Sequence, residues 1–533
     1  MYCEFDKKKE LPIKLLNIFL RKKINSQLIS ILGIFFIKDL VDTKKETFYI
    51  RVNNIKYTLT IICSIKLWKI YMILYKFNIP IKDLLKLNIN NKLELVYEVD
   101  KLLYSRVIPY SFIKRKNNLQ YSKIKIIKGL NTSIYLRQSK GNRTYITVRK
   151  QNKTDELYEQ LKIYIAYIIS LFMHDNKIIL FEKKSERYEE SASVLFEKLI
   201  DEGYKNVFYI LDKNNKNLHK INRKYKLNII DNYTFKHYLY FFTAKTMIGT
   251  EMLSHSIDLR IANKYAMKKI NSKRLNFVFL QHGVMYMISL ASKTRKFFHK
   301  DKNTGLKRVV VSSKLEADHF TNYAKYENKD MYICGLPKFD KNKWTKDADK
   351  IIIMPTWRPW EYNQSRLSFT ETPYFKMIKR IFESIPEVYK DKIIILPHPL
   401  IAEIITDVDD DIKNYMNFKD KYDDLLKEAK VLITDYSSIA YDAFYRGSNI
   451  IFYWEEKDYC MEQYGAGTNL MLNEDNCFGD ICYTPEQVSD VIEKNYLQHQ
   501  EKKYVDRYRK IVEFNDNKNT ERLINYLKRD KLI

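Results

Sequence analysis

Glycine is scarce in this chain, with 12 among 533 residues, and no segment reads G-x-G-x-x-G or G-x-x-x-x-G-K-[ST]. Both motifs use glycine to bring backbone close to phosphates, so their absence argues against a classical nicotinamide oxidoreductase and a P-loop NTPase. Cysteine is equally sparse. Cys3, Cys63, Cys334, Cys460, Cys477 and Cys482 form no CxxC pair and no zinc spacing, which suggests reduced thiols and not a disulfide framework. Neither HExxH nor an EF-hand loop occurs, so no metal site is indicated and no resident cofactor is expected, although a divalent cation stays compatible. Long apolar runs are missing too. Leu28–Ile37 (LISILGIFFI) has about half the length of a bilayer-spanning helix, Ile61–Phe77 is broken by Lys66, Lys69 and Lys76, and the first residues carry no signal-peptide pattern. No transmembrane span is expected. Leu11–Ile37, with its RKK insert, reads as a helix, either interfacial and basic or packed on the domain behind it.

Acidic residues are the other deficit. There are 65 Asp and Glu against 93 Lys and Arg, a formal charge of +28. AT-rich codon usage accounts for part of the excess, and the rest asks for an anionic partner. No nucleic-acid motif accompanies it, so no nucleic acid is expected and an anionic membrane surface is the better partner. The sequence sets no oligomeric state.

What is present is a long globular chain, 45% hydrophobic, that divides into two to four domains. Residues 1–155 carry short alternating runs such as FYIRVNNIKYTLTI (48–61) and RTYITVRK (143–150), which predict a small β-rich or mixed accessory domain. Thr154–Met173 reads as a helix leading onward. From Lys177 the pattern becomes strand, helix, strand: KIILFEK, NVFYILDK, KLNIID, AKTMIGTE, LNFVFLQHG and RVVVSS form one series. KIIIMPTW, DKIIILPHP, KVLITDYSS and SNIIFYW form a second. Continuous apolar strands separated by helices indicate parallel sheets covered on both faces. The predicted fold is therefore α/β, with two Rossmann-like lobes over 156–345 and 346–533. Their ligand cleft should lie at the carboxyl ends of the strands.

Polar residues gather at those ends: Glu251, His282, Thr356, His398, Asp435 and Ser437. The clearest case is Val431–Trp454, a buried strand, the turn Asp435-Tyr436-Ser437-Ser438, and a short helix ended by Gly447. A helix opened by two serines offers hydroxyls and free N–H groups to a phosphate, or else is an ordinary capped helix start.

The strings QHGV (281–284), VVSSKLEADHF (310–320), ICGLPKFDK (333–341), MPTWRPW (354–360), LPHP (396–399) and LITDYSSIAYDAFYRGSNIIFYWEEKDY (432–459) stand in one order. Together they resemble the CDP-glycerol glycerophosphotransferase family of teichoic acid primases and polymerases, over roughly 175–525. The resemblance implies a glycosyltransferase-B fold and transfer of a polyol phosphate from a CDP-polyol to a hydroxyl of a lipid-linked acceptor, with release of CMP. It places the enzyme at the cytoplasmic membrane face. It makes His282 the candidate general base, beside Gly283 and Val284, and His398, after Pro397, a charged donor or general acid at the diphosphate. Ser437 and Ser438 would bind phosphates, with Asp435 on the same turn. Asp442 would accept from glycerol or ribose hydroxyls. Pro355 and Thr356 would line the nucleotide, with Arg358 nearby. Lys338 stands where the family commonly has Arg, which keeps charge but loses bidentate geometry. Two other readings stay open: a nucleotide-sugar glycosyltransferase or UDP-sugar epimerase on the same fold, and a basic nucleic-acid scaffold without catalysis.

Overall fold

The computed structural model describes residues 15–533 except 26, 39–46, 54, 86–89, 100–101, 109–121, 123, 128, 139–142, 175, 217, 293–294, 296–297, 303–305, 342–346, 366–367, 398–407, 409 and 418–421. By its internal contacts the chain forms two compact units, 1–173 with 258–270, and 174–257 with 271–533.

The first unit is more β-rich than its sequence suggests. Leu15–Ile24, Leu28–Lys38, Ile70–Pro80 and Thr60–Leu67 pair antiparallel in that order. A second, seven-stranded sheet runs from Ile55–Thr58 to Lys125–Ile127. The expected helix over Leu11–Ile37 is thus corrected to a β-hairpin with Leu15 opposite Ile37. Its cause is legible in hindsight: Ile29, Ile31, Phe35 and Ile37 are buried at a period of two, which fits a pleated strand and not a helical stripe. The helix at Leu157–Ser170 forms as expected. Where the chain meets it, a buried ion pair of Arg149 and Asp155 at 2.7 Å is reinforced by Ser133 Oγ, which donates to the same carboxylate. Asp258 accepts from the Thr154 hydroxyl at 2.7 Å and ties 258–270 to this unit.

The second unit holds two parallel sheets. In the first the order is Ile229–Asp231, Val207–Leu211, Lys177–Phe181, Ala244–Gly249, Asn276–Phe279, Leu306–Val311, Met331–Ile333. In the second it is Ile393–Ile395, Lys350–Ile353, Ala429–Thr434, Asn449–Tyr453, Asp480–Cys482. Chain order reverses beside Lys177–Phe181 in one sheet and beside Lys350–Ile353 in the other. Strand ends diverge at such switch points and leave a crevice. The C-terminal helix Asn519–Arg529 then returns to the first sheet. Asp340 caps it by accepting from the Asn519 and Thr520 N–H groups, and past its end Leu532 O accepts from the buried Thr246 hydroxyl at 2.8 Å. One continuous apolar core runs under both sheets, from Leu180 to Leu432 and Leu527.

Candidate active site

Four loops at strand ends build the site. After Lys177–Phe181, Glu182 is fully buried and its carboxylate accepts from the backbone N–H groups of Glu189, Glu190 and Ser193 at 2.9–3.0 Å. These are orphan donors at the start of the helix Ser191–Asp201, so the carboxylate fixes where that helix begins. The helix start in turn places Glu190, whose Oε1 lies 2.8 Å from His282 Nδ1. Water reaches 53% of the His282 side chain but only 10% of Glu190. The carboxylate therefore sits beneath an imidazole that faces open space.

Charge follows from this packing. The Glu190 charge raises the pKa of His282 above its usual value against the opposing pull of burial and of Lys338. Burial pushes Glu190 up, but His282, Lys338 and Arg187 outweigh it and hold the carboxyl low, at about 2. Glu182, buried beside that anion, is pushed up to about 7. Burial also raises Glu251, which follows Ala244–Gly249. With Nδ1–H donated to Glu190, neutral His282 keeps its Nε2 lone pair for a proton from elsewhere.

The opposite wall is the turn after Ala429–Thr434. Ser438 opens the helix Ile439–Arg446 without a side-chain cap, and Ser437 Oγ lies a long 3.4 Å from Ile439 N. Neither hydroxyl is committed to the firm capping bond that the alternative reading requires. The two walls are close. A Cβ on Gly283 would stand 3.0 Å from Ser438 Oγ and 4.0 Å from Lys338 Nζ. Lys338 Nζ donates to the His282 carbonyl at 3.1 Å and pairs with Asp442 at 2.7 Å, so it bridges the two sheets' loops. His282, Gly283, Lys338, Ser437, Ser438 and Asp442 thus come together.

Other candidates have different places. Asp435 is fully buried; it accepts from Thr356 N at 2.8 Å and pairs with Arg358, itself fully buried, at 2.8 Å. Arg358 also donates to the Thr356 carbonyl at 2.7 Å. In this structure the Asp435 carboxylate thus faces Arg358 and the backbone of Thr356, and Arg358 also reaches Glu456 Oε2 at 3.4 Å. Thr356 Oγ1 is buried without a hydrogen-bond partner and is left for a ligand or water. The Pro355 carbonyl accepts from the Tyr374 hydroxyl at 3.0 Å. Val284 packs in the core with 1% exposure. Pro397 is buried, and His398 lies outside the described residues. Glu182 and Glu190 were missed by sequence reasoning. The signal was a Glu directly at a strand end at the switch point, and a second Glu just before a serine-led helix.

The family model described as CDP-glycerol:poly(glycerophosphate) glycerophosphotransferase matches residues 163–529. The minor teichoic acid biosynthesis protein GgaB of Bacillus subtilis (strain 168) is 25% identical over 390 residues, covering 68% of this chain and 40% of that protein. The teichoic acid glycerol-phosphate primase of the same organism is 26% identical over 237 residues, 41% of this chain and 56% of that protein. The chain therefore spans about half the length of these relatives or less. Among solved structures, a variant of the wall teichoic acid polymerase TagF soaked with CDPG has a TM-score of 0.52 at 14% identity, covering 70% of this chain and 93% of that one. A second TagF variant gives 0.51 at 15% identity, with the same coverage. At such identity the likeness is one of fold, and the two doubly wound sheets are of the glycosyltransferase-B type.

Proposed function

Since the chain belongs to the CDP-glycerol:poly(glycerophosphate) glycerophosphotransferase family, we propose that it transfers a polyol phosphate, glycerol phosphate first among candidates, from a CDP-polyol to a hydroxyl on a lipid-linked acceptor. CMP is released, and the product belongs to a teichoic acid or capsule-type polymer. The observation that carries this reading is the His282–Glu190 pair facing an uncapped serine turn within reach of Lys338.

His282 Nε2 takes the proton of the acceptor hydroxyl as its oxygen attacks the phosphorus that bears the polyol. The imidazolium that forms is stabilised by Glu190, a contribution of about 10²–10⁴ in rate for a placed base. The new P–O bond replaces the one to CMP, and the electron pair leaves with the CMP phosphate. Ser437, Ser438 and the helix start donate to the phosphoryl oxygens, and Lys338 offers them positive charge once drawn from Asp442. His398 is assigned the donor role at the leaving phosphate. The serines bind and are not nucleophiles. No resident cofactor enters the reading.

The acceptor's lipid puts the enzyme at the inner face of the membrane, held peripherally. No helix among the described residues is long and apolar enough to cross a bilayer. Support for surface attachment comes from the helix Leu157–Ser170 and the residues after it, where Leu157 is 80% and Phe172 87% exposed, with Leu161, Ile165 and Ile168 also open. Tyr265 of the basic helix Lys264–Ile270 stacks on Tyr167 at 4.4 Å, and Lys264 Nζ lies over the Tyr265 ring at 4.7 Å. Apolar groups flanked by lysines suit an anionic lipid interface.

Incubation of the protein with CDP-glycerol, CDP-ribitol and UDP-sugars and a lipid-linked acceptor, with and without EDTA, tests the reading. CMP release from a CDP-polyol is expected in both buffers. UDP release alone would replace it with a sugar-nucleotide reaction.

A further inference from the structure

The segment that carries His282 leaves its strand through a strained turn. Gln281 is fully buried and has φ +62°, the left-handed region that a residue with a Cβ seldom adopts. A conformation of that kind persists only where its surroundings hold it. Gln281 Nε2 donates to Val310 O at 2.5 Å, and Gln281 Oε1 accepts from Met285 N at 3.2 Å. Met285 N is shared with Glu316 Oε1 at 2.7 Å, and Glu316 Oε2 accepts from Ser312 N at 2.6 Å. Glu316 lies in the first turn of the helix Lys314–Ala324 and has no exposed surface. Among the described residues no cation pairs with it. A buried carboxyl without a counter-ion is costly, and apolar packing would be cheaper if only stability were at stake.

The same turn is held from the other side. Tyr441, fully buried in the helix that follows the serine turn, donates its hydroxyl to the Tyr286 carbonyl at 2.6 Å. Met471 N donates to Met287 O at 2.8 Å. The chain from 281 to 287 is thus anchored by Glu316 on the His282 side and by Tyr441 on the serine side.

We propose that Glu316 is a positioning residue for His282: by clamping Met285 N it keeps the 281–285 turn in the form that sets the imidazole over Glu190 and opposite Ser438. Tyr441 completes the clamp from the second sheet. Glu316 itself touches no reacting group. The kinetic consequence rests on the proposed transfer reaction, whereas the geometric one does not.

Glu316→Gln tests it, because Met285 N and Ser312 N donate to different carboxylate oxygens, and the amide sets an NH₂ donor against one of them. Misplacement of a reacting group by about an ångström costs on the order of 10²-fold. A fall in kcat of that size is expected, with KM for CDP-glycerol within about twofold, since the donor-side turn is untouched. The titration of His282, followed by NMR of histidine-labelled protein and assigned with His282→Ala, should move down as its contact with Glu190 loosens. Tyr441→Phe deletes only a hydroxyl and carries the same two readouts if Glu316→Gln does not fold. An unmoved His282 titration in a folded variant, whether or not its melting temperature falls, would overturn the proposal. If the wild-type protein turns over no CDP-polyol, the function reading fails, and the titration still decides the positioning.

Discussion

Changing Glu190 to Gln removes one charge from beneath His282 and little else. The contact is 2.8 Å between Oε1 and Nδ1. For charges about 4 Å apart at an effective dielectric of about 20, the attraction is roughly 4 kcal/mol. Water reaches half of the imidazole and screens the attraction, and desolvation opposes it, so the net rise in the imidazole pKa is far smaller than that figure implies. Without the carboxylate, desolvation and Lys338 are opposed only by the smaller pull of Glu251, so the His282 pKa falls. Gln can also turn its NH₂ toward Nδ1, which favours the tautomer with a proton on Nε2 and removes the base. The pH profile of kcat for CMP release separates the two effects. In the wild type, activity should rise with pH as His282 loses its proton. In Glu190→Gln this acid limb should move to lower pH, while the plateau drops by about 10²–10⁴. A plateau within twofold of wild type together with an unmoved limb would refute the pairing.

Gly283→Ala should lower turnover with little effect on the melting temperature, because its Cβ enters the space between Ser438 Oγ and Lys338 Nζ and not the core. Arg358→Met should cost about 3–5 kcal/mol in urea unfolding, since it leaves Asp435 buried without its counter-ion. His319 is held down at about 4 by burial, and its Nε2 accepts from Leu290 N. Its folded pKa is below the unfolded 6.5, so this stability is complete above pH 6.5 and is lost as pH falls toward 4. The loss is at most about 3 kcal/mol, and unfolding curves of His319→Gln should show a shallower decline between pH 6.5 and 4.5. The triple change Leu161→Glu, Ile165→Glu, Ile168→Glu should abolish flotation with vesicles containing anionic lipid while leaving the circular dichroism unchanged; retained flotation would place the membrane contact elsewhere.

Both parallel sheets were legible because fully buried strands read as continuous apolar runs, and the site's place followed because polar residues ended five of them. The N-terminal hairpin was misread because Arg21, Lys22 and Lys23 break the apolar run in a way that also fits an amphipathic helix. Only the burial of Ile29, Ile31, Phe35 and Ile37 at alternate positions decides for strand. Arg358 and Asp435 read as ligand contacts because their type and position fit one. Their mutual pairing depends on two strand ends 77 residues apart being adjacent, which sequence does not display. Glu190 escaped for the same reason, since its partner His282 lies on a different strand-end loop. Glu316 has no distinguishing signal in VVSSKLEADHF, because an acid in a helix's first turn looks like any dipole-stabilising residue until the N–H groups that donate to it are traced.

His282 is proposed to remove the proton of an acceptor hydroxyl as a polyol phosphate moves from CDP to that hydroxyl. The most direct measurement follows CMP release and polyol phosphate incorporation together, with radiolabelled CDP-glycerol and a lipid-linked acceptor, for wild type and His282→Ala at equal donor occupancy. Equal amounts of CMP and incorporated glycerol phosphate in the wild type are predicted, with both lost in His282→Ala while CDP-glycerol still binds. Undiminished incorporation by His282→Ala would contradict it.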